Sequence, residues 1–135
     1  PPPKTPGLDE NLAWLEQRRI PMVVASSSRM ASIRLHLDGW GLTHYFKAVI
    51  SGEQFTSSKP DPEIFYRAAE MLGTTPEHTL VLEGSYNGVR AGAAGGFVTV
   101  MVPDLAPPDD EMRRLYNAEC ASLHEVRRML EEGRL

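Results

Sequence analysis

The chain has 135 residues, 41% hydrophobic and 24% charged, with a formal net charge of -4; these are the proportions of one globular domain with a buried core. An acidic balance offers no basic field to phosphate backbones or anionic lipid, and no apolar run approaches the roughly 20 residues of a membrane helix, so no nucleic acid and no membrane are expected as partners. A lone cysteine, Cys120, excludes an internal disulfide and agrees with a reducing, cytoplasmic compartment.

Residues 1–7 open Pro-Pro-Pro and close Pro-Gly, a run that cannot start a helix smoothly because each proline fixes φ and removes a donor. A linker is expected there, followed by one domain over residues 8–135. Leu8, Leu12 and Leu15 share a helical face, predicting a helix over 8–18 with Asp9 and Glu10 in its first turn. The apolar run 22–25 suits a buried parallel strand. Met30, Ile33 and Leu37 mark the next helix, with Gly39 and Gly41 as stop signals. The cycle repeats: a strand at 48–51, a helix over 61–72, a strand at 79–82, a Gly- and Ala-rich helix over 86–94, and a strand at 98–101. A loop over 103–110 comes next, in which Asp109 and Asp110 read as surface charge. Leu123, Val126 and Leu130 then mark a last helix. Strands alternating with helices of this length specify an α/β, doubly wound, Rossmann-like parallel sheet with helices on both faces.

Ligands of such sheets bind beyond the carboxyl ends of the strands, which singles out the residues just after Ala25, Ser51, Leu82 and Met101. Ser26, Ser27, Ser28 and Arg29 enter a helix N-terminus, a ready anion site, although serine is also an ordinary cap. Lys59 stands at a helix start between Ser57-Ser58 and Pro60, where the macrodipole disfavours a cation that has neither an anionic partner nor free solvation. Glu83 ends a buried strand, where a carboxylate needs Mg²⁺ or a cation such as Lys59 beside it. A solvated lysine and an exposed glutamate in a Gly-rich turn are the competing explanations. The histidines show no metal-ligand spacing.

Together, Val23 to Arg29, Ser51 to Phe65 and Val81 to Val89 resemble, in order, the second, third and fourth motifs of the haloacid dehalogenase (HAD) superfamily, in the branch similar to β-phosphoglucomutase. The resemblance implies that Ser26 hydrogen-bonds the transferring phosphoryl group, that Lys59 neutralises nucleophile and phosphate, and that Glu83 binds Mg²⁺. Ser27, Ser28 and Arg29 would complete the substrate side. It also implies a strand order of 98–101 at one edge, then 79–82, a central strand, 22–25 and 48–51.

Several departures stand out. The second acid of the fourth motif is Gly84, which should weaken Mg²⁺ and leaves Asn87 or water to fill a position. Met30 stands where relatives often carry asparagine. No Asp-x-Asp pair comes after any strand, so the domain is expected to be a partial core, lacking the first, central strand and the helical cap, with residues 1–7 as the former cap-to-core hinge. Two exposed mid-sheet edges would result, and with them a companion fragment, a strand-exchanged dimer, or closure of the sheet. The function expected is that of a HAD-like phosphatase or phosphomutase of small phosphorylated metabolites such as sugar phosphates, inactive alone. The alternative is a non-catalytic phosphate-binding or interaction module. An unrelated nucleotide-binding domain would need a glycine-rich loop after its first strand, and none is present.

Overall fold

The computed structural model describes residues 4–135, so Pro1–Pro3 of the expected linker lie outside the described residues. Helix α1 (Leu8–Gln17) starts at Gly7, whose φ of 84° is in the left-handed region. A Cβ at Gly7 would lie 3.0 Å from His124, so the chain enters α1 in close contact with the last helix. Strand β1 (Val23–Ser26), helix α2 (Met30–Trp40) and strand β2 (Ala48–Ser51) form the first parallel unit, with Val23 opposite Ala48 and Ser26 opposite Ser51. Gly41 ends α2 with a φ of 69°, as its place after the last periodic residue predicts. Helix α3 (Glu63–Leu72) leads to β3 (Leu80–Glu83), α4 (Tyr86–Ala94) and β4 (Val98–Met101), and β3 pairs with β4 in parallel. Each of β1 and β3 runs one residue further than the apolar pattern marks. Ser26 and Glu83 are therefore the last residues of their strands, not the first of their loops.

The segment after β4 departs from the sequence reading. Helix α5 (Asp110–Leu115) and a two-residue strand β5 (Ala118–Glu119) precede α6 (Leu123–Glu131), and β5 pairs with β4 through Val100 opposite Ala118. Strand β4 is thus not an edge. Asp109 is not plain surface charge either, since it caps α5 by accepting from the Met112 amide at 2.9 Å. Both elements are too short for a periodic signal.

The period-2 rule separates the two layers. Leu80 and Val100 point to the face covered by α1 and α6, while Val81 and Met101 point to the face of α3, α4 and α5. Val24 and Ala25 divide in the same way. Helices on both faces of parallel strands make the doubly wound α/β class expected of the sequence.

The strands nevertheless form two sheets, β1–β2 and β3–β4–β5, and β1 does not pair with β3. The sheet does not close on itself. A cavity of about 550 Å³ lined by Leu12, Leu15, Met22, Leu80 and Leu82 lies between the two sheets on the α1 side. A smaller one of about 100 Å³, reached by Ala25, Phe65, Val81 and Phe97, lies on the other side. All four residues of β1 are half-buried, and Leu82 of β3 is 36% exposed, unlike the fully covered strands that parallel sheets ordinarily contain.

Candidate active site

The carboxyl ends of β1 and β3 meet across this separation through one side chain. Lys59 projects from the loop before α3, and its Nζ donates to Glu83 Oε2 at 2.7 Å and to the Ala25 carbonyl at 3.4 Å. Both charged side chains are largely buried, 8% exposed for Lys59 and 13% for Glu83. A cation at a helix start that needs an anion has thereby found one, and a carboxylate at a strand end has found its cation. The Phe65 ring lies beneath the ammonium, 4.9 Å from it, and limits its wandering. Removing either partner would leave the other charged in a poorly solvated place, at a cost of about 3–5 kcal/mol.

Glu83 is also shaped by the turn into α4. Its Oε1 accepts from the Ser85 hydroxyl at 3.2 Å, and Ser85 in turn caps α4 by accepting from the Gly88 amide at 3.1 Å. The carboxylate therefore rests against the N-terminus of α4, where the macrodipole favours negative charge. A Cβ on Gly88 would fall inside that carboxylate, so the glycine is a condition of the site.

The serine turn is differently organised from a plain cap. Arg29 is the residue before α2 and makes no side-chain cap bond; the Met30 amide instead donates to Glu53 Oε1 at 2.6 Å, from the 3-10 turn Gly52–Gln54 after β2. The Ser51 hydroxyl donates to the Ser28 carbonyl at 2.6 Å and fixes the loop from the neighbouring strand. Ser26 Oγ accepts from the Ser28 amide at 3.1 Å.

Ser26, Ser27 and Ser28 line a cavity of about 560 Å³ together with Lys59, Glu83 and Asp104. An adjoining cavity adds Ser58, Asn87 and Arg90. The structure thus brings the three serines, Lys59 and Glu83 together. It does not bring Arg29, which lines neither cavity, and it engages Asn87, whose Oδ1 accepts from Arg90 at 2.9 Å. Gly84 contributes no side chain. Sequence reasoning missed Asp104, Arg90 and Glu53. Asp104 lies three residues past Met101, the fourth strand end that the carboxyl-edge rule had already marked. Arg90 is held by a two-bond contact to Glu111, at 2.8 and 2.6 Å; the pairing depresses the Glu111 pKa and raises that of Arg90.

A family model of haloacid dehalogenase-like hydrolases matches residues 2–96. The chain belongs to this family. A phosphorylated carbohydrates phosphatase of Thermotoga maritima is 33% identical over 93 residues, covering 69% of this chain and 43% of that protein. Hexitol phosphatase B of Escherichia coli O157:H7 is 30% identical over 124 residues, covering 92% and 56%. Among solved structures, a candidate β-phosphoglucomutase of Thermotoga maritima superposes with a TM-score of 0.84 at 28% identity, covering 94% of this chain and 59% of that one. The chain therefore spans about half the length of these curated relatives. The HAD-like fold and the β-phosphoglucomutase-like resemblance stand on these matches.

Mg²⁺ is the metal such a family implies. The donors facing the cavity are oxygens, from Glu83, Asp104 and the Ser26 hydroxyl, and hard oxygen donors are the ligands Mg²⁺ takes. Each Glu83 oxygen already has one partner, yet a carboxylate oxygen accepts at two positions, so the donor type suits the ion, although no three His, Cys, Asp or Glu side chains cluster to hold one among the described residues.

Proposed function

We propose that this chain carries the phosphoryl-holding part of an Mg²⁺-dependent phosphatase or phosphomutase acting on small phosphorylated metabolites such as sugar phosphates. The observation that carries this is the buried Lys59 ammonium, held between Glu83 and the Ala25 carbonyl at the rim of a serine-lined cavity. The names of the relatives, a phosphorylated carbohydrates phosphatase and a hexitol phosphatase, agree with it.

In this reading Ser26 donates its hydroxyl hydrogen to one phosphoryl oxygen, with the Ser27 and Ser28 backbone and hydroxyls beside it. Lys59 sets its positive charge against another, which stabilises charge as it builds on the group in transfer. A bound metal would add Lewis-acid stabilisation of the phosphoryl oxygens. The role of nucleophile falls, by family resemblance, to the first aspartate of an Asp-x-Asp pair after a strand, and no strand of this chain is followed by one, so the 135-residue chain is proposed to bind and not turn over. Residues 8–135 form a partial core in this account, with residues 1–7 as its hinge. The lone thiol, buried and free, suits a cytoplasmic setting.

Titration of the chain with inorganic phosphate, followed by NMR, tests the proposal. Lys59→Gln should weaken binding about tenfold or more, as expected for a charge-assisted hydrogen bond. Ser26→Ala, which leaves the buried ion pair intact, should weaken it by about threefold or more. Unchanged affinity in both variants would overturn the assignment. Mg²⁺-dependent release of phosphate by the pure chain would show that the nucleophile has been misplaced.

Gly84 favours a second reading, a non-catalytic phosphate-binding module. Phosphate held by Ser26 and Lys59, with no metal at Glu83 in excess Mg²⁺, would establish it.

A further inference from the structure

Gly84 removes a carboxylate from the site, and its neighbourhood shows which group stands in the vacated space. The Val102 amide donates to the Glu83 carbonyl at 2.9 Å, which lays the chain leaving β4 alongside the chain leaving β3. Two residues on is Asp104. A Cβ placed on Gly84 would lie 3.0 Å from the Asp104 Cβ and 3.1 Å from the Val102 carbonyl oxygen. The two positions thus start their side chains from nearly the same place, and a side chain at 84 would require Asp104 or the Val102 carbonyl to give by a few tenths of an ångström.

Charge distinguishes Asp104 from the acids around it. Glu83 is paired with Lys59, Glu111 with Arg90, and Glu53 is bound to the Met30 amide. None of the ion pairs among the described residues uses Asp104. It nevertheless lines the same cavity as Ser26, Lys59 and Glu83. Its loop is tied down at the far end, where the Tyr86 hydroxyl donates to the Pro107 carbonyl and Arg113 donates to the Pro108 carbonyl at 3.1 Å.

We propose that Asp104 supplies, from the loop after β4, the metal-binding carboxylate that Gly84 does not. The proposal rests on reading the cavity as a phosphoryl-transfer site. Its physical basis is net charge and donor type. Lys59 and Glu83 cancel one another, so their pair offers a dication no net attraction; Asp104 restores one negative charge and two oxygen donors. One or two carboxylates with several retained waters make an ordinary Mg²⁺ site.

The experiment is Mn²⁺ binding to the 135-residue chain, read by electron paramagnetic resonance and by displacement with Mg²⁺, so no activity is needed. Glu83→Gln and Asp104→Asn should each weaken Mn²⁺ about tenfold or more. Combining Gly84→Asp with Asp104→Gly, which removes the Cβ nearest position 84, should return affinity to within about threefold of the parent, a recovery that a merely structural role of Asp104 would not produce. Loss of affinity in Glu83→Gln with none in Asp104→Asn overturns this proposal and leaves the phosphoryl-transfer reading standing. Failure of the double variant to recover overturns the exchange between the two positions. A parent chain that binds no Mn²⁺ removes the cation site, and the proposal with it, while phosphate binding reports on Ser26 and Lys59 separately.

Discussion

At the level of single residues, the chain places charges by giving each a specific partner, and these partners differ in how far sequence reveals them. Lys59 and Glu83 were legible because each is anomalous where it stands, a cation at a helix start and an anion at a strand end. Arg90 and Glu111 were not, since each is an unremarkable charge on its own helix and only the α4–α5 packing joins them. Their pairing has a pH signature. The Glu111 carboxyl is depressed below the usual 4.5, first by its hydrogen bond with Arg90, so its contribution to stability is fully present above that value and is lost as pH falls through the depressed folded value. Thermal denaturation of the parent and Glu111→Gln should therefore differ at about pH 7 and converge as acid protonates the Glu111 carboxyl. A difference that persists unchanged into acid would show that the pairing contributes nothing through the Glu111 charge.

At the level of elements, apolar periodicity located the helices and strands up to β4, and α6 after it, to within one or two residues because each buries a face of its own. It failed over 110–119, where α5 has six residues, with Met112 its one buried side chain, and β5 has two. The serine cap, the competing explanation of the serine turn, is not the one used, because the cap of α2 comes from Glu53, 23 residues away in sequence. Glycine shows the same division between local and distant causes. Gly39 lies within α2 with nothing within 4 Å of an added Cβ, whereas a Cβ at Gly88 of α4 would intrude on Glu83. Gly39→Ala should accordingly stabilise the chain by about 0.5–1 kcal/mol, the entropy difference of a helical glycine. Gly88→Ala should destabilise it by about 1–3 kcal/mol through overpacking. Urea denaturation measures both; equal effects would mean that the Glu83 carboxylate moves aside without cost.

At the level of the whole molecule, two sheets with helices on both faces are held together at the carboxyl ends of their strands by Lys59, while an apolar cavity separates them along α1. The α/β class was legible from alternation alone, and the separation emerged only from the strand order that family resemblance supplied, since nothing in a strand's own composition says which neighbour it lacks. An unpaired parallel edge carries free amides and carbonyls, and Leu82 leaves apolar surface beside it. Such an edge is satisfied by pairing with another strand, whether from a companion fragment or from a second copy. The pure chain should therefore associate with itself in a concentration-dependent way, seen by light scattering as mass above the 15.0 kDa monomer. Leu82→Lys places a charge beside the edge without touching Lys59, and it should weaken association about tenfold, or about 1.4 kcal/mol, by the same device that protects natural edge strands. A parent chain that scatters as a 15.0 kDa monomer at every concentration would show instead that α1 and α6 shield these edges from other chains.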